Sequence, residues 1–144
     1  MKTNMNITVN DLTKWSACEE GLDWFTSAFP SGEADWADFA ASAPRKDWVA
    51  WTACYAGRHW PDDRWTPEIA KALIETKDAD YLFRAGLHWP GSRYTPEIAA
   101  ALVAINDADY LYLARRDWPT ARLAPEIDAA IAAFMVCRQG GGLI

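Results

Sequence analysis

The chain has 144 residues, of which 51% are apolar and 24% charged, and its formal net charge is −6. This balance is typical of one folded domain and excludes a disordered chain. The excess of acids argues against direct binding to nucleic acid, which depends on clustered Lys and Arg. Because no apolar run approaches the roughly 18–20 residues of a membrane helix, we expect no membrane association.

The N-terminal ten residues carry no apolar segment of the kind that directs export, so we expect a cytoplasmic protein. The three cysteines point the same way. Cys18, Cys54 and Cys137 are odd in number and widely spaced. This pattern predicts buried free thiols in a reducing compartment rather than a disulfide framework or a zinc site.

Residues 11–58 predict helix pairs that share one degenerate plan. Residues 11–20 and residues 22–29 predict the first helix pair, which Phe29-Pro30 closes. A third helix is predicted over residues 31–43, and the proline that follows ends it. The fourth, over residues 47–60, is about one turn longer than the helices in the same position later in the chain.

From residue 59 onward the sequence repeats itself every 29 residues. A Trp-Pro pair, an arginine and a Pro-Glu-Ile step each recur at this spacing. The matching positions are Trp60-Pro61, Trp89-Pro90 and Trp118-Pro119, then Arg64, Arg93 and Arg122, then Pro67, Pro96 and Pro125. Self-similarity at a fixed period is the signature of stacked repeats, in which each unit contacts its neighbours.

Each repeat unit predicts two short helices. The first begins with a threonine as N-cap, a proline at the first helical position and an acid in the first turn, as in Thr66-Pro67-Glu68 and Thr95-Pro96-Glu97. Asp78 and Asp107 are predicted to cap the second helix, which the Trp-Pro pair ends because the residue before a proline avoids the α conformation. Helices of about ten residues are marginal alone in water, so they must stack.

The predicted fold is therefore all-α. We expect a single domain over residues 1–144, with about nine short helices stacked as helical hairpins and essentially no sheet. The 29-residue repeats occupy residues 59–138, and residues 1–8 and 139–144 are expected to be flexible ends. We expect a monomer in which most of the nine tryptophans belong to the core.

No motif in the sequence predicts catalysis. His59 and His88 both precede a Trp-Pro pair, but two histidines without a matching Cys or carboxylate pattern do not make a metal site. The Asp-Ala-Asp steps at Asp78 and Asp107 fit helix caps better than an acid-base pair. No phosphate-binding loop or nucleophile elbow occurs. We expect a protein that is not an enzyme and that needs no cofactor and no metal.

The arginines Arg64, Arg93 and Arg122 allow two interpretations. Stacked repeats would place them in a row, which is a candidate binding surface. Each also precedes a glutamate by four residues, so a local ion pair with Glu68, Glu97 or Glu126 is the alternative.

The acidic stretch between Trp15 and Pro44 is the best functional candidate, since it holds six acids and no base. In one interpretation these acids stabilise helix starts and solvate a face. In the other they form a negative surface that occupies a basic groove of a nucleic-acid-binding machine. The candidate partner-binding residues, including two acids after the first Trp-Pro pair, are Glu19, Glu20, Asp23, Glu33, Asp35, Asp38, Asp62 and Asp63.

The motifs Trp-Pro-x-x-Arg and Asp-Ala-Asp-Tyr-Leu resemble the short helical repeats of bacteriophage and prophage proteins, and residues 18–25 resemble an N-terminal module seen beside such repeats. In size, charge and composition the chain is similar to anti-CRISPR proteins that inhibit type I surveillance complexes. This resemblance implies a non-catalytic inhibitor in a bacterial host cell that binds a type I Cascade complex and blocks target-DNA binding. The alternative is a helical-repeat scaffold or adaptor that binds another bacterial or phage protein through the arginine row.

Overall fold

The computed structural model describes residues 6–143, and it describes side chains as far as Met135. Nine α-helices and one small sheet make up this part of the chain. The elements are β1 (Asn6–Thr8), α1 (Val9–Lys14), α2 (Glu19–Ala28), β2 (Glu33–Asp35), α3 (Trp36–Ser42), α4 (Lys46–His59), α5 (Pro67–Thr76), α6 (Ala79–His88), α7 (Pro96–Ile105), α8 (Ala108–Asp117) and α9 (Pro125–Leu143). The all-α prediction is confirmed.

The helices of the C-terminal part stack in two rows. Helices α4, α6 and α8 contact one another in succession, and α5, α7 and α9 form the second row against them. The repeat positions Ile69, Ile98 and Ile127 are each at most 1% exposed, which shows that equivalent side chains line one continuous core. Because each short helix buries its apolar face only between neighbours, the stack is the stable unit.

The N-terminal part packs around aromatic rings. Phe25 on α2 lies near Phe39 on α3, and Trp24 lies 6.0 Å from Trp48 on α4 between ring centroids. Five of the tryptophans are buried and four are half-buried, as expected for core residues. The rings therefore join α2, α3 and α4 into one module on which the repeats are stacked.

A two-stranded antiparallel sheet in the N-terminal module was not predicted. Ile7 pairs with Ala34 in its register, and both side chains are buried. The prediction of a flexible segment over residues 1–8 is therefore wrong for residues 6–8; residues 1–5 lie outside the described residues. Glu33–Asp35 is a strand rather than the start of a helix, and α3 begins one residue later with Asp35 as its N-cap.

The first predicted helix, over residues 11–20, is also corrected, because α1 ends at Lys14. Ser16 adopts a left-handed conformation with φ of 62°. The backbone N–H of Ala17 donates to the carbonyl of Leu12, and that of Ser16 donates to Thr13. These two bonds form a Schellman motif, which satisfies the last carbonyls of α1 and turns the chain into α2.

The last helix, α9, continues past the position at which α5 and α7 end. Helices α5 and α7 end at left-handed residues, Lys77 and Asn106, each followed by a capping aspartate. The equivalent positions in the third repeat are Met135 and Val136, which carry neither signal. The backbone of α9 therefore runs on to Leu143, while residue 144 lies outside the described residues. The flexibility expected for residues 139–144 stays a prediction.

The N-caps of the repeat helices differ in whether their side chains accept a hydrogen bond. Asp78 accepts a hydrogen bond from the backbone N–H of Tyr81, and Asp107 accepts one from Asp109, so both predicted aspartate caps are confirmed. Thr66 and Thr95 are the N-cap residues of α5 and α7, as predicted, but their hydroxyls accept no capping hydrogen bond. At these helix starts the proline and the first-turn acid remain.

Candidate partner-binding surface and arginine contacts

The arginines of the row contact neighbouring units of the stack. Arg93 is 5% exposed, and its guanidinium donates to the carbonyl of Gly57 at 3.0 Å and to Asp62 at 3.0 Å. Arg122 donates to the carbonyl of Gly86 at 2.9 Å. These carbonyls belong to the last turns of α4 and α6, where intrahelical partners are missing and a cation is favoured.

Arg64 makes the equivalent contact with the N-terminal module. Its guanidinium donates to Asp11 at 2.7 Å and to the carbonyl of Asn6 at 2.6 Å. Among the described residues, no ion pair joins Arg93 to Glu97 or Arg122 to Glu126. The predicted local pairs are therefore wrong for these two arginines, and the burial of Arg93 also removes it from any exposed binding row.

Asp11 is a structural residue that the sequence analysis missed. Its carboxylate accepts the backbone N–H of Thr8 and its backbone N–H donates to the hydroxyl of Thr8, which forms a capping box at α1. Burial raises the pKa of Asp11, but the hydrogen bonds from Arg64 and from the Thr8 backbone outweigh it and hold this pKa below its ordinary value. The Thr-x-x-Asp spacing is the sequence signal that identifies it.

All eight predicted acidic residues are exposed, and they lie on three segments. Glu19, Glu20 and Asp23 lie on α2. Glu33, Asp35 and Asp38 lie on β2 and α3, while Asp62 and Asp63 lie in the turn after α4. Asn6 connects the β2 segment with the turn after α4. Its side-chain amide donates to Glu33, and its backbone carbonyl accepts from Arg64, which follows Asp63 in the chain.

Some of these acids have intramolecular roles. Asp35 caps α3 through the backbone N–H of Ala37. Asp62 pairs with the buried Arg93 although its own side chain is 96% exposed. Glu20 lies 4.0 Å from Arg45. Within the described part of the chain the carboxylates of Glu19, Asp23, Asp38 and Asp63 accept no hydrogen bond and join no ion pair, so they remain available to a partner.

A cavity of about 330 Å³ lies beside the acids of α2. Trp48, Trp51 and Phe39 contribute apolar surface to its lining. Arg45 and Asp47 also line it and form a bidentate pair, with distances of 3.0 and 2.7 Å. This pairing raises the pKa of Arg45, so the guanidinium is charged. The sequence alone does not single out these residues, because tertiary packing brings them together.

The two cysteines whose side chains are described differ in exposure. Cys54 is buried, and burial raises the pKa of its thiol to about 12. Cys18 is exposed and lines the cavity, so the prediction of a buried thiol is wrong for this residue. The side chain of Cys137 lies outside the described residues.

The residues that could bind metal are dispersed. Among the described residues, no group of three or more His, Cys, Asp or Glu side chains could hold a metal ion. His59 is exposed and stacks near Trp15 and Tyr55, with ring centroids 6.3 and 5.8 Å away. No helix within the described residues is long and apolar enough to span a membrane.

These features define an all-α helical-repeat protein with an aromatic N-terminal module. Residues 5–60 are similar to the family described as the YdhT N-terminal domain. This match ends at Trp60, where the first Trp-Pro pair begins, so it covers the N-terminal module and leaves the repeats unmatched. No curated protein and no solved structure matched the chain.

Proposed function

We propose that this chain is a non-catalytic protein that binds a macromolecular partner through the acidic surface of its N-terminal module. The observation that carries the proposal is the cluster of Glu19, Glu20 and Asp23, three exposed acids within two turns of α2. Glu19 and Asp23 are four residues apart, where like charges repel by a few tenths of a kcal/mol. A basic partner surface relieves this repulsion and is steered toward it by charge.

The partner class that we propose is a nucleic-acid-binding complex in a bacterial host cell, and the type I Cascade complex is the first one to test. Such complexes hold nucleic acid in positively charged channels, which an acidic protein surface complements. Occupation of a DNA-contacting groove would block target-DNA binding. The chain would then act as an inhibitor of the anti-CRISPR class.

The contacts of the arginine row give the scaffold alternative little support. Arg93 is buried, and Arg64 and Arg122 are engaged with neighbouring units. Replacing these arginines would disturb the stack itself, so loss of binding would not identify a contact surface. An adaptor function would need a different face of the repeats.

The experiment is co-purification of the tagged chain with purified type I Cascade complexes, followed by target-DNA binding. The test variant carries Glu19→Lys, Glu20→Lys and Asp23→Lys. The matched control carries Glu68→Lys, Glu97→Lys and Glu126→Lys, which change the net charge equally and also lie in first turns of helices. This control matches the helix-dipole cost of reversing Glu19 and Glu20, about 0.3–1 kcal/mol each.

We expect the test variant to lose at least about tenfold in affinity and the control to lose far less. Both variants should keep the circular dichroism of a helical protein. Full binding and full inhibition by the test variant would refute the acidic surface. Association that leaves DNA binding intact would refute the proposed block, and no association with any type I complex would refute the proposed partner.

A further inference from the structure

The cavity beside α2 has the properties of a site for one bulky apolar side chain. Its volume of about 330 Å³ is at the low end of the roughly 300–1,000 Å³ range of small-molecule pockets. Trp48 and Trp51 are half-buried, so part of their ring surface remains exposed for an occupant. Phe25, Phe39 and Leu12 also line the cavity and are buried. Aromatic walls of this kind are typical of pockets that receive interface anchors.

The buried polar side chain in the cavity lining does not require a polar ligand. The hydroxyl of Thr52 is satisfied, because it donates to the backbone carbonyl of Trp48 at 2.7 Å. The three buried polar atoms without a hydrogen-bond partner among the described residues belong to Trp60, Thr66 and Arg93, which are outside the cavity. Among the described residues, the lining therefore holds no fully buried polar side-chain atom that lacks a partner and would require a polar ligand.

The charges at the rim of the cavity favour an apolar occupant that is flanked by basic residues. Arg45 is neutralised by its bidentate pair with Asp47. The acids Glu19 and Glu20 lie between the lining residues Cys18 and Gly21 on the same stretch of chain. Arg45 itself lies 5.3 Å from the ring centroid of Trp48, which is a cation–π contact within the chain.

We propose that the cavity receives a bulky apolar side chain, such as tryptophan, from a basic segment of the protein partner. This inference rests on the proposed function and names the anchor of the same surface. The acids attract the basic flanks, while burial of the apolar side chain supplies most of the affinity. All lining residues except Tyr81 lie within residues 5–60, so the site belongs to the N-terminal module.

The first test uses two synthetic five-residue peptides. One has a central tryptophan with a lysine and an arginine on each side, and the other has alanine at the centre. We expect the tryptophan peptide to shift the indole N–H resonances of Trp48 and Trp51 at concentrations at least about fivefold lower than the alanine peptide. Equal effects of the two peptides, or no shift at either indole, would overturn the inference.

The second test fills the cavity from an exposed position. Cys18→Trp should weaken binding of the tryptophan peptide at least about fivefold. Ser27→Trp, at an exposed position of α2 outside the lining, should not. Unchanged binding by Cys18→Trp would overturn the inference. The melting temperatures of both variants show whether they remain folded.

A third measurement needs no substitution. Alkylation of Cys18 by iodoacetamide, quantified on its own proteolytic peptide, should slow when the tryptophan peptide is bound; unchanged alkylation at saturation would overturn the inference.

The outcomes also separate the two proposals. If the triple lysine variant loses the partner but Cys18→Trp does not, the acidic surface is retained and the cavity is refuted. If only Cys18→Trp loses it, the acidic surface is refuted.

Discussion

The indole ring of Trp89 packs directly on the backbone of Gly57. A Cβ atom at Gly57 would lie 2.1 Å from Cε2 of Trp89, a distance that no ordinary contact allows. The indole N–H of Trp89 donates to the carbonyl of Cys54 at 2.9 Å. The same contact recurs 29 residues later, where Trp118 packs on Gly86 and donates to the carbonyl of Phe83.

This relationship gives the first prediction. Gly57→Ala should lower the free energy of unfolding by at least about 1–3 kcal/mol, because the methyl group forces the ring or α4 to move. In an exposed helix the same change would stabilise by up to about 1 kcal/mol. Urea unfolding followed by circular dichroism measures the effect. Gly91→Ala is the control, since its Cβ would meet only the Arg122 side chain at 4.0 Å; equal stability of the two variants would contradict the packing argument.

The second prediction concerns the buried arginine. Arg93→Ala should cost about 2–4 kcal/mol of unfolding free energy, because charge-assisted hydrogen bonds to helix-terminal carbonyls are lost along with a buried side chain. Arg84→Ala is a matched control. Arg84 is exposed and pairs with Asp80 four residues earlier, so its loss should cost about 0.3–0.5 kcal/mol. A similar cost for both, in chemical unfolding at pH 7, would show that Arg93 does not hold the repeats together.

The third prediction is a dependence of stability on pH. The pKa of Asp11 is lowered in the folded state, so its contribution is fully present above the ordinary value of 3.8 and is lost as pH falls through the lowered folded pKa. Asp11→Asn should therefore be less stable than the wild type at pH 6, and the difference should narrow toward pH 3. Unfolding midpoints measured across this range test the claim. A constant difference at every pH would exclude the carboxylate as its source.

The fourth prediction separates the two kinds of helix start. Asp107→Ala should cost about 1 kcal/mol, because the carboxylate accepts the backbone N–H groups at the start of α8. Thr95→Ala should cost less than about 0.5 kcal/mol, since its hydroxyl makes no capping hydrogen bond at α7. Thermal unfolding of the two variants side by side gives the comparison. A larger loss for Thr95→Ala would reverse our assignment of the caps.

The third repeat differs from the first two at the glycine on which a tryptophan packs. The position equivalent to Gly57 and Gly86 is Arg115, which pairs with Asp128 on α9 at 3.4 Å. A tryptophan cannot pack there as it does on the two glycines, because the side chain occupies the space. The contact between a tryptophan and a glycine backbone is therefore made at Gly57 and Gly86, and Arg115 excludes it in the third repeat.

The sequence by itself determined the repeat and its helices. Its signals are local, so they can be recognised without the tertiary structure. They are the 29-residue spacing of the Trp-Pro pairs, the prolines at helix starts, and Asp78 and Asp107 at the caps. The tertiary structure decided where the arginines and the aromatic rings go. Arg93 reaches Gly57 across 36 residues, and Asn6 pairs with Asp35 across a chain reversal. Such partners depend on which backbone groups the stacked helices leave unsatisfied, and a local pattern does not contain that information.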